Sequence, residues 1–161
     1  DGSLYTENLR RAKCTDELIL SDSEYVFDPK FTYHGFRYAE IRKSKTAKIS
    51  GLNGLLITQD IDYYGDFECS DEVINGIYAM AKNGQKSNFI SIPTDCPQRD
   101  ERQGWTGDMA VFSNTACYNF NLSRFLEKWL LDMRLEQSWD GGIPTVVPIH
   151  GCSTPVVATA C

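Results

Sequence analysis

The sequence predicts a mixed fold, β-rich in its first part and helical in its second. Residues 1–65 carry runs dense in aromatic and β-branched side chains, whereas from residue 66 onward apolar residues recur at helical spacing. The strands suggest part of an antiparallel β-sandwich. The helices look like the beginning of an α-helical array that does not close on itself. The boundary falls near residue 65, leaving one domain piece over 1–65 and a second over 66–161.

Taken in order, Phe31 to Ile41 (Phe-Thr-Tyr-His-Gly-Phe-Arg-Tyr-Ala-Glu-Ile) is the first strand candidate, with Gly35 as its bulge. Leu55 to Ile61 is the second, entered through the turn residues Gly51-Leu52-Asn53-Gly54. Beyond Tyr63-Tyr64-Gly65-Asp66 the period changes. Ser70 or Asp71 can cap a helix bearing Val73, Ile74, Ile77, Tyr78 and Ala81 on one face. Phe89-Ile90-Ser91-Ile92 reads as buried. A charged loop follows, then a helix striped by Met109, Phe112, Ala116 and Phe120. Asn121 can cap a third helix, in which Leu122, Phe125, Leu126, Trp129, Leu130 and Met133 form a core-packing stripe. Asp140-Gly141-Gly142 stops it, and a coil rich in Pro, Val and Thr runs to Cys161. That coil shows no natural stop, so the chain reads as cut from something longer, its last stretch poorly ordered or leaning on a partner surface.

A length of 161 residues leaves room for one domain with a real core, or for pieces of two. A net charge of −6 and the lack of any Lys/Arg-rich run argue against nucleic acid as a partner. Apolar runs such as Gly54-Leu55-Leu56-Ile57 are too short to cross a bilayer, so no membrane partner is expected. The first residues carry no charged-then-apolar signal pattern, and the compartment stays open. Six cysteines are scattered without a Cys-x-x-Cys pair, and His34 and His150 are isolated, which disfavours zinc. The thiols read as small buried side chains. No cofactor and no metal is called for.

The chemistry concentrates between Thr94 and Asp108. Four carboxylates (Asp95, Asp100, Glu101, Asp108), two guanidiniums (Arg99, Arg102) and the Trp105 indole share a segment punctuated by Pro93, Pro97, Gly104 and Gly107. Such segments are most often solvated loops with surface ion pairs of small value. Here the loop is anchored between a buried run and an apolar helix, which places it along a cleft instead. Glycoside hydrolysis fits these residues best, since it needs a protonated carboxylic acid against the leaving oxygen, a second carboxylate, and flat surfaces for the sugar. Asp95, Asp100 and Asp108 would favour a neutral Glu101 by like charge, while Arg99 and Arg102 oppose this, so its protonation state stays open. Trp105 offers an indole face for the apolar side of a pyranose.

The run Asp95-Cys96-Pro97-Gln98-Arg99-Asp100-Glu101-Arg102-Gln103-Gly104-Trp105-Thr106-Gly107-Asp108 resembles the signature of the bacterial and fungal α-L-rhamnosidases of glycoside hydrolase family seventy-eight. Glu7 to Lys13, Phe31 to Tyr38, Phe67 to Ser70 and Asp140 to Pro148 resemble that family too, in the same order, so the likeness covers nearly the whole chain. It implies the end of a β-sandwich domain leading into the first helices of an (α/α)6 barrel, incomplete in this chain. The implied reaction is inverting hydrolysis of terminal α-L-rhamnose from rhamnose-containing glycosides or polysaccharides. By that resemblance Glu101 is the general acid, and Asp95, Arg99, Trp105 and Asp108 line the sugar subsite. For Arg99 a plain ion pair competes with sugar contact, and Asp100 and Arg102 are assigned to structural pairing.

The departure from the family pattern is the general base. An inverting enzyme needs one on the far face of the sugar, about 6.5–9.5 Å from the acid. In similar enzymes it comes from a later helical hairpin, beyond this chain. Glu127 and Glu136 are poor substitutes, because both lie on the polar face of the third helix. The competing readings are a glycosidase of the same barrel acting on another sugar, and a non-catalytic sugar-binding or interaction module.

Overall fold

A computed structural model describes residues 2–21 and 24–149, together with the backbone of 157–158. It is mostly helical with a few short strands. Three helices, α1 (Glu72–Asn88), α2 (Thr106–Asn119) and α3 (Ser123–Leu135), surround one hydrophobic core.

Helix α1 starts where Asp71 caps it, its side chain accepting from the backbone N–H of Val73 at 2.9 Å and of Ile74 at 3.4 Å. Two of the otherwise unpaired N-terminal donors are thereby satisfied. Glu72 in the first turn and Lys86 in the last complement the helix dipole. The inward face differs from the expected stripe. Tyr78 and Ala81 are half-buried and Gln85 is buried, but Val73, Ile74 and Ile77 are exposed, since no described element covers the start of that face.

After α1 the chain makes a minimal antiparallel pair, β1 (Phe89–Ile90) with β2 (Ile92–Pro93), in which Ile90 faces Ile92. Ser91 makes the reversal at a φ of 65°. Phe89 turns inward, stacking on Phe125 of α3 with ring centroids 4.8 Å apart and meeting Phe112 of α2 edge-on at 6.4 Å. One ring thus ties the short strands to both later helices. Thr94 closes the segment by donating its N–H and its hydroxyl to the Asn88 carbonyl at 3.0 and 2.7 Å.

The stripe expected for α2 is the observed one: Met109 and Ala116 are buried in the helix, Phe120 is buried at its C-cap, and Phe112 packs against the core. The helix has no side-chain N-cap. Its first N–H, on Thr106, instead donates to the Thr145 carbonyl at 2.9 Å. Between α1 and α2 lies a buried amide chain. Gln85 Nε2 donates to the Ala116 carbonyl at 3.1 Å, and Asn119 Nδ2 donates to Gln85 Oε1 at 2.9 Å.

Helix α3 is entered through Leu122 in the N-cap position, although Asn121 Oδ1 still accepts from the Ser123 N–H at 3.3 Å. Leu122, Phe125 and Trp129 are buried, with Leu126 and Met133 packed beside them. Leu130, expected in the stripe, is 57% exposed. The helix ends at Leu135, ahead of the Asp140-Gly141-Gly142 turn. In that turn Asp140 is held below the usual carboxylate range, first by the Ser138 hydroxyl and then by the Gly142 N–H. The segment after it is not all coil. Ile143–Pro144 (β3) pairs antiparallel with Val157–Ala158 (β4). Val147 then enters the core, its N–H donating to the Gly104 carbonyl at 2.9 Å and its own carbonyl accepting from Trp129 Nε1 at 3.1 Å. The Gly104 position requires a missing side chain, since a Cβ there would lie 2.3 Å from the Val147 carbonyl oxygen.

The first part of the chain departs most from expectation. Among the described residues before α1 there is no named strand, only a 3-10 turn at Glu7–Leu9 and an isolated bridge from Tyr63 to Phe120. Both strand candidates, Phe31 to Ile41 and Leu55 to Ile61, run without a hydrogen-bonded ladder. A strand is defined by its neighbour, and the large side chains here (Phe36, Tyr38, Leu55 and Leu56 among them) find none and stay exposed. Gly35 is not a bulge but a point of close approach: a Cβ there would sit 2.9 Å from the Pro97 carbonyl carbon. Cys96 is buried as expected for a thiol, Cys14 and Cys69 are half-buried and Cys117 is exposed. His150, Cys152, Cys161 and most of the terminal coil lie outside the described residues.

Two substitutions test this packing. Gln85→Met should destabilise the fold by about 1–3 kcal/mol by leaving the Asn119 amide buried without its acceptor. Adding Asn119→Leu should recover part of that loss in a double-mutant cycle read by urea unfolding, whereas additive losses would contradict the pairing. Gly104→Ala should cost about 1–3 kcal/mol or more in the same assay, because the atom it meets is backbone and cannot swing aside.

Candidate active site

The loop from Asp95 to Trp105 is closed on itself by a reciprocal pair. The Asp95 N–H donates to the Gln103 carbonyl at 3.0 Å, and the Gln103 N–H donates to Asp95 Oδ1 at 2.8 Å. This makes the Asp95 carboxylate the internal brace of the loop, and its side chain is 9% exposed. Its other oxygen, Oδ2, takes Arg99 at 3.2 Å. The same guanidinium reaches Glu101 Oε2, also at 3.2 Å. Arg99 is pushed above the usual guanidinium value, first by its hydrogen bond to Cys96, with Glu101 and Asp95 adding to this and burial opposing it.

Glu101 is neither splayed into solvent nor remote from the indole. Its side chain is 24% exposed, Oε1 accepts from Trp105 Nε1 at 3.2 Å, and Oε2 accepts from Arg10 at 3.1 Å as well as from Arg99. Charge-assisted donors of this kind are the stronger class of hydrogen bond. Arg10 was absent from the candidate residues, because it lies 91 positions upstream in a stretch with no chemical pattern of its own. The only sign of it in the sequence is that Glu7 to Lys13 belongs to the family-like stretches.

The N-terminal segment frames the loop along its length. Arg11 pairs with Asp100 at 3.4 Å, and Cys14 Sγ donates to the Gln98 carbonyl at 3.6 Å. Arg102, at a φ of 46°, turns away from Glu101, donates to the Tyr33 carbonyl at 2.8 Å and lies 4.0 Å from the centroid of the Tyr33 ring. Asp100 makes a pair of the kind expected of it, whereas Arg102 has no carboxylate partner among the described residues and is held by Tyr33 instead. For Arg99 the ion pair is the observed contact. Asp95, Cys96 and Glu101 bring ligand atoms within 4.8 Å of one another, yet Arg99 bonds to all three, so the positive charge of that cluster is already supplied by the guanidinium.

The five candidates fall into two overlapping groups. Asp95 and Asp108 lie on the wall of a cleft of about 700 Å³ between α1 and α2, together with Asn88, Thr94, Met109 and Phe112. Asp108 sits exposed in the first turn of α2. Glu101, Arg99 and Trp105 are not on that wall and cluster around Asp95 from the loop side. Asp95 belongs to both groups. The Trp105 indole is half-buried and spends its N–H on Glu101, while its backbone bridges Val146. The two alternative carboxylates, Glu127 on α3 and Glu136 at its C-cap, do not approach the loop among the described contacts. Glu127 is exposed, and Glu136 Oε2 accepts the Ile149 N–H at 2.7 Å.

Comparison with known proteins bears on what this arrangement serves. Residues 62–159 match the model of the bacterial alpha-L-rhamnosidase six-hairpin glycosidase domain, and residues 1–59 match that of the bacterial alpha-L-rhamnosidase concanavalin-like domain. An alpha-L-rhamnosidase of Streptomyces avermitilis is 41% identical over 156 residues, covering 94% of this chain and 15% of the relative. One from Formosa agariphila is 41% identical over 152 residues, covering 92% of this chain and 16% of the relative. Among solved structures, the S. avermitilis alpha-L-rhamnosidase complexed with L-rhamnose aligns at a TM-score of 0.57 with 42% identity, over 58% of this chain and 9% of that one. The alpha-L-rhamnosidase of Dictyoglumus thermophilum aligns at 0.54 with 45% identity, over 55% and 10%. This chain therefore spans only about a sixth of the length of the relatives it matches. Matched along nearly all of its own length, it belongs to the bacterial α-L-rhamnosidase family.

Proposed function

We propose that the whole protein to which this chain contributes hydrolyses terminal non-reducing α-L-rhamnose from rhamnosides, with Glu101 as the general acid of an inverting reaction. In that reading residues 1–65 end a β-sandwich domain and residues 66–161 begin an (α/α)6 barrel. The observation that carries it is the setting of Glu101: one carboxyl, oriented by three donors, beside a largely buried aspartate, in a chain of this family.

The oxygen contacts favour one route for the proton. Among the described residues Oε2 accepts from two guanidiniums, whereas Oε1 accepts one indole N–H, which leaves it a lone pair. A proton carried by this carboxyl therefore rests on Oε1. As the glycosidic C–O bond breaks, its electrons go to the departing oxygen and the Oε1 proton follows them. Water attacks from the opposite face and yields its own proton to a base supplied from elsewhere in the protein. Asp95, with lone pairs left after its bonds to Gln103 and Arg99, and Asp108 on the cleft wall, accept from sugar hydroxyls. Arg99 holds the two acids in register, and Trp105 packs its ring on the sugar while its N–H orients Glu101.

In the whole protein, Glu101→Gln should lower turnover of an alkyl α-L-rhamnoside by about 10²–10⁴-fold. Full turnover by that variant would remove Glu101 from the acid role. The 161-residue chain alone should show no hydrolysis in the same assay, because it holds one member of the acid–base pair. Measurable turnover by the purified chain would place the base within it.

A further inference from the structure

We infer that Arg10 is a positioning residue for the proposed acid: the N-terminal segment supplies the guanidinium that fixes the Glu101 carboxyl in its proton-donating orientation. The inference rests on the reading of Glu101 as the acid and adds to it a second segment of the chain. Three observations carry it.

The first is the contact itself. Arg10 meets Glu101 Oε2 at 3.1 Å, across 91 positions of sequence, from the stretch matched by the concanavalin-like model to the stretch matched by the glycosidase model. The second is the division of labour on the carboxyl. Arg99 is also bonded to Asp95 and Cys96, so it cannot follow Glu101 freely, whereas among the described residues Arg10 makes no other ion pair. With both guanidiniums on Oε2 a rotation of the carboxyl would strip two charge-assisted bonds, so Oε1 is the oxygen left to carry and deliver a proton. The third is backbone strain. Arg10 leaves the Glu7–Leu9 turn at φ 55° and ψ −111°, a conformation L-residues rarely adopt and one that persists only where surrounding contacts over-determine it. The pairs that follow it, Arg11 with Asp100 and Cys14 with Gln98, hold the next residues of the segment against the same loop. The remaining charged groups near Glu101 are Asp95 and Arg99 of its own loop and the Arg11–Asp100 pair, while Arg102 faces Tyr33.

The test is leaving-group dependence in the whole enzyme. A dinitrophenyl rhamnoside departs without help from an acid, while a methyl rhamnoside does not. Arg10→Met should lower kcat on the methyl rhamnoside roughly tenfold or more, with KM and turnover of the dinitrophenyl rhamnoside unchanged. Arg10→Gln, which keeps an uncharged amide NH2 on a shorter stem that cannot reach Glu101 as the guanidinium does, should show the same selective loss and serves if the Met variant fails to fold. Equal losses on both substrates, or no loss on either, would overturn the inference. Glu101→Gln is run alongside. If it shows the selective loss and the Arg10 variants do not, the acid stands and only the role of Arg10 fails; if it shows none, the acid assignment itself fails.

Discussion

The rest of the site depends on the closure of the acidic loop by Asp95. One carboxylate takes a backbone N–H across the loop on Oδ1 and a guanidinium on Oδ2, while its own backbone pairs with the same partner residue. Burying a carboxylate is costly unless its oxygens are occupied, and here the loop satisfies that demand with its own atoms. The closure carries Arg99 to Glu101 and brings Trp105 round to the other oxygen of the same carboxyl. Without it, a Pro- and Gly-punctuated segment has no periodic structure to hold it.

Two walls keep that closed loop in place. On one side Gly104 admits the Val147 carbonyl at a distance no side chain permits, and Trp129 bonds the same oxygen, so the loop is fastened to the core through α3. On the other side the N-terminal segment lies along the loop through Arg10, Arg11, Cys14, Tyr33 and Gly35. The charged groups of the loop face this second wall, which is polar and extended, and the apolar groups face the first. A site built at such a junction draws on both stretches recognised by the family models.

The helical part was legible because its signals are local. Asp71 caps α1 through its own side chain, and the Met109, Phe112, Ala116, Phe120 stripe is a repeat within one helix. The pairing of Asp100 was anticipated in kind, though its partner Arg11 was not, and Arg102 meets Tyr33 where a carboxylate was expected. Expected apolar faces failed where burial needed a neighbour: Val73, Ile74, Ile77 and Leu130 have the right spacing and remain exposed. The strand candidates failed for the same reason. Alternation and β-branching fit a residue for a sheet, but the ladder belongs to the pair of strands and not to either one.

By itself the sequence determined the family and the helices from residue 72 on, and it singled out the loop on which the proposed chemistry rests, since each is written in contiguous residues or fixed spacings. Only the tertiary structure decided that Arg10 and not Arg102 meets Glu101, that Arg99 bridges both acids, and that Gly35 and Gly104 are there for close approach. The physical reason is range. Propensity, capping and periodicity act over a few residues, whereas a hydrogen bond to a carboxylate is set by geometry at about 3 Å between groups that any length of chain can separate.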